Sequence, residues 1–320
     1  MFRDLDHIKT FDDLFFVVRG DHHPRDKVRA VPIYFPKENG DRFDIKTGKR
    51  FIRKIEEYSK DLILKLHSEY LPRSDELNKY GVLVPVSHIV NHYLPRLKTK
   101  ECLENKYFRE TKWGKFILSL NKILGISIKD IGIYGSTLIG LKKDLSDVDL
   151  VIYGKENLLK LKKNFDLILR KNELKKISKK QLYYFIKHKK LDQYYPFSTE
   201  QILKIFQRRW SGIYINGDIM FIRFVYKENE IPENLYYLTP PINTMKVKGR
   251  VIDSLGSHFI PRVIKVKVGE KLFEVVSYYW IFFSCVLDGE EVEIFGNYRR
   301  NNKREFITLD EPEHYILPIH

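Results

Sequence analysis

The chain has little cysteine. Cys102 and Cys285 are its two thiols, far apart and without the Cys-x-x-Cys spacing of a zinc site. A disulfide framework is thereby excluded, which suits a cytoplasmic protein. Long apolar runs are missing too: no window approaches the ~18 consecutive apolar residues of a membrane span. The opening Met-Phe-Arg-Asp-Leu-Asp is charged and has no apolar signal-peptide core. No internal repeat is visible. Negative charge is in deficit, since 57 Lys and Arg face 42 Asp and Glu for a formal net charge of +15. That excess predicts a polyanionic partner, nucleic acid ahead of a membrane, because phosphate contacts dominate affinity for nucleic acid. The plainer reading is a lysine-rich surface of compositional or thermophilic origin. Core material is plentiful. Hydrophobic residues make up 43% and aromatics 14% of 320 residues, enough for two or three domains and against long disorder.

Leu14–Val18 and Val28–Phe35 read as short strands around the polar loop Arg19-Gly20-Asp21-His22-His23-Pro24. Adjacent histidines on a turn point different ways, so Asp21, His22 and His23 read as a capped, solvated loop rather than a metal site. Residues 53–70 carry Ile55, Tyr58, Leu62, Leu66 and Tyr70 at helical spacing, with Pro72 just beyond. Val82–Val90 is a short apolar strand or packed segment, and residues 96–106 read as a polar linker. Trp113, Phe116, Ile117, Leu120 and Leu124 form the apolar stripe of a helix closed by Gly125. Residues 155–190 hold 13 Lys and Arg against Glu156, Asp166 and Glu173, a net of +10. Leu158, Leu161, Phe165, Leu169, Leu182 and Phe185 interrupt that charge, which makes amphipathic helices with a basic outer face. Ile213-Tyr214-Ile215, Asn216-Gly217 and Ile219–Val225 form a hairpin, Asn-Gly being a preferred turn pair. The prolines of residues 228–242 mark a boundary. Beyond it Val247–Val251, Val263–Val268, Phe273–Val276, Val286–Leu287 and Val292–Ile294, punctuated by glycines, suit a small β-barrel. It resembles an oligonucleotide-binding barrel in strand count and glycine punctuation. Tyr278–Phe283 reads as core.

The most informative stretch is residues 133–152. Ile131–Tyr134 is a strand, Gly135-Ser136 a turn, Thr137–Leu141 the start of a short helix, and Val148–Tyr153 a second strand. Eleven residues after Ser136 comes Asp147, then Asp149. Two carboxylates at spacing two on a strand point to one face, where they can hold a divalent ion. A glycine turn before a helix lets backbone N–H groups and a serine hydroxyl approach a phosphate. Together they predict metal-assisted chemistry on a nucleotide, with Gly135, Ser136 and Thr137 binding it. A two-metal site calls for a third carboxylate near the attacking hydroxyl. The candidate is Asp218, although an Asp directly after Asn-Gly is also ordinary turn chemistry. Arg223, further along, would contact phosphate if it faced the site.

Gly135-Ser136 followed by Asp147-Val148-Asp149-Leu150 resembles the nucleotidyltransferase signature of the DNA polymerase beta superfamily. The resemblance covers residues 110–226. It implies that Asp147 and Asp149 bind Mg²⁺, two ions being expected, and that Gly135-Ser136 binds a nucleoside triphosphate; the third acid, for which Asp218 is the candidate, is where this chain departs from the pattern. The whole chain also looks like a family of archaeal proteins sharing this domain, with a His-Pro turn here at His23-Pro24.

The expected architecture is α+β: a polymerase-beta-like nucleotidyltransferase domain with a mixed sheet over residues 105–228, an N-terminal α+β module over 1–104 and a small β-barrel-like module over 243–320. The expected reaction is Mg²⁺-dependent transfer of a nucleoside monophosphate from a nucleoside triphosphate to a hydroxyl, releasing pyrophosphate. The charge points to RNA or DNA as acceptor, RNA being the preferred expectation, held by Lys162, Lys163, Lys175, Lys176, Lys179 and Lys180. One rival is a nucleic-acid-binding protein whose transferase site has decayed. Another is an enzyme that nucleotidylates a protein or a small molecule.

Overall fold

The computed structural model describes residues 1–53, 70, 82–142, 148–215, 218–232, 239–301 and 304–319. In chain order it begins with strands β1 (His7–Thr10), β2 (Phe15–Val18), β3 (Lys27–Pro36), β4 (Arg42–Asp44), β5 (Arg50–Arg53), β6 (Val82–Pro85) and β7 (Ile89–Tyr93). Helices α1 (Pro95–Glu104), α2 (Lys106–Glu110) and α3 (Lys112–Leu124) follow. Then come β8 (Ile131–Tyr134), α4 (Gly135–Ile139), β9 (Leu141–Lys142), β10 (Asp149–Tyr153), α5 (Lys155–Lys171) and β11 (Lys175–Lys176). Three helices, α6 (Lys179–His188), α7 (Leu191–Tyr194) and α8 (Thr199–Gln207), lead to β12 (Gly212–Ile215), β13 (Asp218–Phe221) and β14 (Arg223–Val225). The last strands are β15 (Pro241–Asp253), β16 (Arg262–Val268), β17 (Lys271–Ser277), β18 (Glu291–Arg300), β19 (Glu305–Leu309) and β20 (Tyr315–Pro318). The helix expected over residues 53–70 lies outside the described residues, apart from Arg53, which ends β5, and Tyr70, which is buried. No described helix is long and apolar enough to cross a membrane.

By their contacts the described residues form two units, one within 1–72, 81–176 and 211–231, the other within 177–210 and 232–320. In the first, a sheet runs β7-β1-β2-β3-β5-β4-β9, with β6 also paired to β3. A second sheet has β10 in the middle, antiparallel to β8 and parallel to β14. The two sheets share a core. Every residue of β2 is buried, and its alternating side chains serve two layers. Phe16 and Val18 pack with Ile8, Val28, Ala30, Val82 and Val84. Val17 packs with Leu5 and Val31 onto Val151, Tyr153 and Val225 of the second sheet. Phe15 joins Tyr34 and Phe51 against Leu138 and Ile139 of α4.

Helix α3 forms as its spacing predicts. Thr111 Oγ1 accepts from Gly114 N at 3.1 Å, Trp113, Phe116, Ile117 and Leu120 are buried, and Gly125 closes the helix at φ +65°. Residues 96–106, expected as a linker, are instead helical for most of their length. Pro95 starts α1 at a position that has no N–H bond to lose. The buried side of α1 is made by Pro95 and Thr99 rather than by large apolar residues, so no hydrophobic stripe marks it in the sequence. A Cβ on Gly132 would lie 2.7 Å from Pro95 Cβ, so a bare glycine in β8 is what lets α1 approach.

The N-terminal residues form a buried hook. Arg3, Asp4, Leu5 and Asp6 are all buried. Leu5 takes a left-handed φ of 68°, which costs a non-glycine residue about 1–2 kcal/mol and turns its side chain into the shared core. Arg3 donates from Nε to Asp21 (2.6 Å), from Nη1 to Glu228 (2.7 Å) and from Nη2 to the Tyr226 carbonyl (2.6 Å). Asp4 accepts from Gly20 N at 2.9 Å, and Asp6 accepts from Arg3 N (2.9 Å) and the His92 ring (2.7 Å). The His23 ring lies between Arg29 N and the Phe2 carbonyl, each at 3.2 Å. The Asp21-His22-His23 segment is therefore not the solvated loop expected: Asp21 and His23 fasten the hook.

In the second unit, α6 and α8 each start with a Ser-x-x-Gln capping box, at Ser178/Gln181 and Ser198/Gln201. β15, β16, β17, β19 and β18 close into a five-stranded ring, with β17 and β19 its one parallel pair and β20 added to β18. β15 pairs with β18 along most of its length and with β16 at its end. A Cβ on Gly249, near that change of partner, would lie 2.4 Å from the Lys267 carbonyl, so glycine permits the bend. Inside, Arg299 reaches Asp310 at 2.5 Å and Thr308 Oγ1 at 2.8 Å. Val286–Leu287, expected as a strand, lies in a turn region where Arg209 and Arg262 hold the carbonyls of Tyr279, Trp280, Ile281 and Phe283. Tyr278, Tyr279, Ile281, Phe282 and Phe283 are core, as read.

Burial pushes the Asp4 carboxyl from 3.8 up to about 6, with Asp21 adding to the rise and Arg19, the Gly20 N–H and Arg223 opposing it. The folded state thus favours the protonated carboxyl, and ionisation costs stability that sets in above pH ~4 and is complete above pH ~6. Asp4→Asn keeps the oxygen that Gly20 uses. It is expected to stabilise the protein by on the order of 2–3 kcal/mol at pH 8 and by almost nothing at pH 4. Urea unfolding at the two pH values checks this, and an equal gain at both would refute it.

Candidate active site

β8 and β10 lie side by side in opposite directions, so β8 ends where β10 begins. Tyr134 and Asp149 are cross-strand partners at that end, and α4 starts immediately after Tyr134. Gly135 makes the turn at φ +70°. A Cβ there would lie 2.1 Å from Asp149 Oδ2. The carboxylate therefore occupies the space that a side chain at 135 would fill, which explains glycine twice, by backbone conformation and by contact. Ser136 is buried in the first turn of α4 and Thr137 is half-buried beside it.

Asp149, Val151 and Tyr153 share one face of β10. Tyr134 joins that face from β8, while Arg223 and Val225 join it from β14, because cross-strand partners point the same way. Val151, Tyr153 and Val225 are covered by Leu5, Val17 and Val31, and half-buried Asp149 stands where Tyr134 edges this cover. Burial raises the Tyr134 phenol well above the usual tyrosine range; the Asp149 charge adds to the rise, and Arg223, Arg19 and Arg53 oppose it. One carboxylate and three guanidinium groups thus lie within electrostatic reach of one phenol.

The other end of β10 is closed. Gly154 N donates to the Val225 carbonyl, and the first N–H of α5, at Lys155, donates to both Glu230 carboxylate oxygens at 3.1 and 3.0 Å. A helix N-terminus that would attract an outside anion is filled by the chain's own carboxylate. The Asp149 end is the one left for a ligand.

Of the three expected metal-binding acids, Asp149 is placed with its carboxylate. Asp147 lies outside the described residues, and so does the Asp218 side chain. The Asp218 backbone pairs with Ile215 in the sheet β11-β12-β13. Asp218 and Arg223, read from sequence as one strand, belong to two. The chain leaves β13 at Ile222, which is bonded to Ser211 through N–H···O (3.1 Å) and by the serine hydroxyl (3.0 Å), and enters β14 beside β10. Among the described residues no three His, Cys, Asp or Glu side chains form a metal-binding group. The carboxylate over Gly135 is a hard oxygen donor of the kind Mg²⁺ takes.

The six lysines are all exposed: Lys162 and Lys163 on α5, Lys175 and Lys176 on β11, Lys179 and Lys180 on α6. Lys176 pairs with Asp166 at 2.5 Å. The first four belong to the unit that holds Asp149 and the last two to the other. Sequence reasoning did not find Tyr134, Arg19 or Arg53. Tyr134 carried a signal, standing directly before Gly-Ser, whereas the two arginines are distant in sequence.

Residues 114–207 match the family model of the nucleotidyltransferase domain, a span that contains Gly135, Ser136, Asp147 and Asp149. An uncharacterised protein of Methanocaldococcus jannaschii is 26% identical over 311 residues, covering 91% of this chain and 88% of that protein.

Gly125 and Gly135 both hold positive φ, but only the latter would press a Cβ onto a neighbour. Gly135→Ala is expected to cost about 1–3 kcal/mol more than Gly125→Ala, the excess being the displaced carboxylate. Removing that carboxylate with Asp149→Ala should recover most of the excess in the double variant. Denaturant unfolding of the four variants measures it; equal losses at the two glycines would show that Asp149 does not occupy the Gly135 space.

Proposed function

We propose that this chain, which carries a nucleotidyltransferase domain over residues 114–207, transfers a nucleoside monophosphate from a nucleoside triphosphate to a hydroxyl of RNA or DNA, RNA by preference. The observation that carries the reading is the Asp149 carboxylate seated over Gly135, at the turn into Ser136. Asp147 and Asp149, with Asp218 as third acid, are the residues proposed to hold Mg²⁺, with two ions expected. When bound, Mg²⁺ makes the attacking hydroxyl more acidic and offsets the charge of the leaving pyrophosphate. Gly135, Ser136 and Thr137 bind the phosphates through backbone N–H groups and hydroxyls, as first-turn N–H groups have no partner within their helix. The acceptor oxygen forms its bond to the α-phosphorus as the bond to the β-phosphate oxygen breaks. The hydroxyl proton passes to a carboxylate, for which Asp218 is proposed.

The distribution of charge supports a nucleic-acid acceptor on the helices rather than on the barrel. Residues 155–190 carry a net +10, while residues 241–320 hold 11 Lys and Arg against 11 Asp and Glu. On α6, Lys179, Lys180 and Lys187 frame the exposed Tyr183 and Tyr184, whose ring centroids are 6.1 Å apart. Exposed aromatics flanked by lysines suit stacked bases and their phosphates.

Two measurements test the reading. With Mg²⁺, a labelled triphosphate and single-stranded RNA, Asp149→Asn should lower transfer by at least about 100-fold, a loss of ~2.7 kcal/mol or more in transition-state stabilisation. Unchanged transfer in that variant would exclude catalysis through this site. Lys179→Glu with Lys180→Glu should weaken RNA binding and lower the slope of log affinity against log salt by about 1.4. An unchanged slope would remove these two lysines from the interface.

A further inference from the structure

The family resemblance calls for a third carboxylate near the acid pair. The parallel neighbour of β10 presents an arginine to the Asp149 face. Arg223 opens β14, pairs with Val151, and so points to the face that carries Asp149 and Tyr134. With ~3.3 Å per residue along a strand and ~4.8 Å between strands, its Cα stands about 8 Å from that of Asp149. An arginine can span that separation. It lies on the same face as Val151 and Val225, and 6% of the residue is exposed.

We propose that Arg223 binds the polyphosphate of the nucleotide, meeting its β- and γ-phosphates on the face that carries Asp149. The proposal rests on the nucleotidyl-transfer reading of the same site and adds a binding residue that the signature does not contain. A triphosphate carries several negative charges into a site built from carboxylates, and a fixed guanidinium on the same face offsets part of that repulsion. It keeps its charge at every working pH and offers a planar fork that matches phosphate oxygens. Its charge opposes the rise of both the Tyr134 phenol and the Asp4 carboxyl. Two other arginines of the first unit lie toward the Tyr153 end of β10. Arg3 is bonded to Asp21, Glu228 and the Tyr226 carbonyl, and Arg96 stacks 3.8 Å over the Tyr153 ring while pairing with Glu228. Both hold the sheets together away from Asp149.

Inorganic tripolyphosphate is the probe, read by equilibrium dialysis in EDTA and by the shift it gives in the thermal midpoint. Wild-type protein should bind it without metal. Arg223→Met should lose about tenfold to hundredfold in affinity and most of the ligand-induced shift, the range for a hydrogen bond to a charged group. Arg223→Lys, which keeps a charge but not the fork, should lose roughly threefold to tenfold. A purely structural arginine would lower the midpoint of the free protein and leave tripolyphosphate affinity unchanged, which would overturn the proposal. Should Arg223→Met fail to fold, Arg223→Lys decides it, and wild-type affinity in that variant counts against the assignment. Failure of wild-type protein to bind tripolyphosphate in EDTA would sink this proposal alone, and failure with Mg²⁺ present as well would sink the nucleotide reading together with it. Binding by wild type and by both variants alike would sink this one alone.

Discussion

The face of β10 that carries Asp149 also carries Val151 and Tyr153, and these two are roofed by Leu5, Val17 and Val31. Most of what is specific to this chain depends on that contact. A fully buried aliphatic side chain contributes about 1.5–3 kcal/mol, so the cluster is a strong joint between the N-terminal sheet and the sheet that bears the acid. It also decides where a ligand can go. The middle of the acid face is filled with hydrocarbon, the far end of β10 is closed by Glu230, and the end beside Tyr134 and Gly135 remains. The N-terminal sheet is thus a wall of the candidate site as well as a neighbouring module. It brings the charges of Arg19 and Arg53 within reach of Tyr134.

The ionic groups of the hook act through geometry more than through net stabilisation. Moving paired charges out of water costs about as much as their attraction returns. Arg3, Asp21 and Glu228 are better understood as fixing where the chain end lies. Asp21 and Asp4 come from positions 17 residues apart, and Glu228 is 225 residues from Arg3, so one guanidinium ties both ends of the first unit. The strained φ of Leu5 is held in the same place.

What the sequence made legible follows from local physics. The strand–turn–helix of Ile131–Ile139, the helix closed by Gly125 and the hairpin β12–β13 each carry their signal within a few residues. The five-stranded barrel was legible because its strands alternate and its turns hold glycine. Helix α1 was hidden because it buries Pro95 and Thr99, residues that leave no apolar stripe. The change of sheet at Ile222 was hidden because an unbroken β-prone run gives no sign that its hydrogen-bond partners switch from β12 to β10. The covering of the acid face was hidden for another reason. Val17, Val31 and Val151 look like ordinary strand residues, and only the fold shows that they meet. The acid pair itself was legible as a pattern, and the seating of Asp149 over Gly135 gives its second member a physical basis.

The same layering separates attraction from positioning on the proposed reading. Leu150 and Ile152 alternate to the side of β10 away from Asp149 and are fully buried, and α5 turns its own apolar stripe of Leu158, Leu161, Phe165 and Ile168 inward. The exposed Lys162 and Lys163 are therefore on the side of α5 away from its apolar stripe. Lysines placed there raise the local concentration of a polyanion through a field that falls off over about 8–10 Å in physiological salt. They do not set a hydroxyl against a particular phosphorus atom. Groups on the acid face must do that, and the ones the fold supplies are the Asp149 carboxylate, the Gly135-Ser136 turn and the arginine on the neighbouring strand.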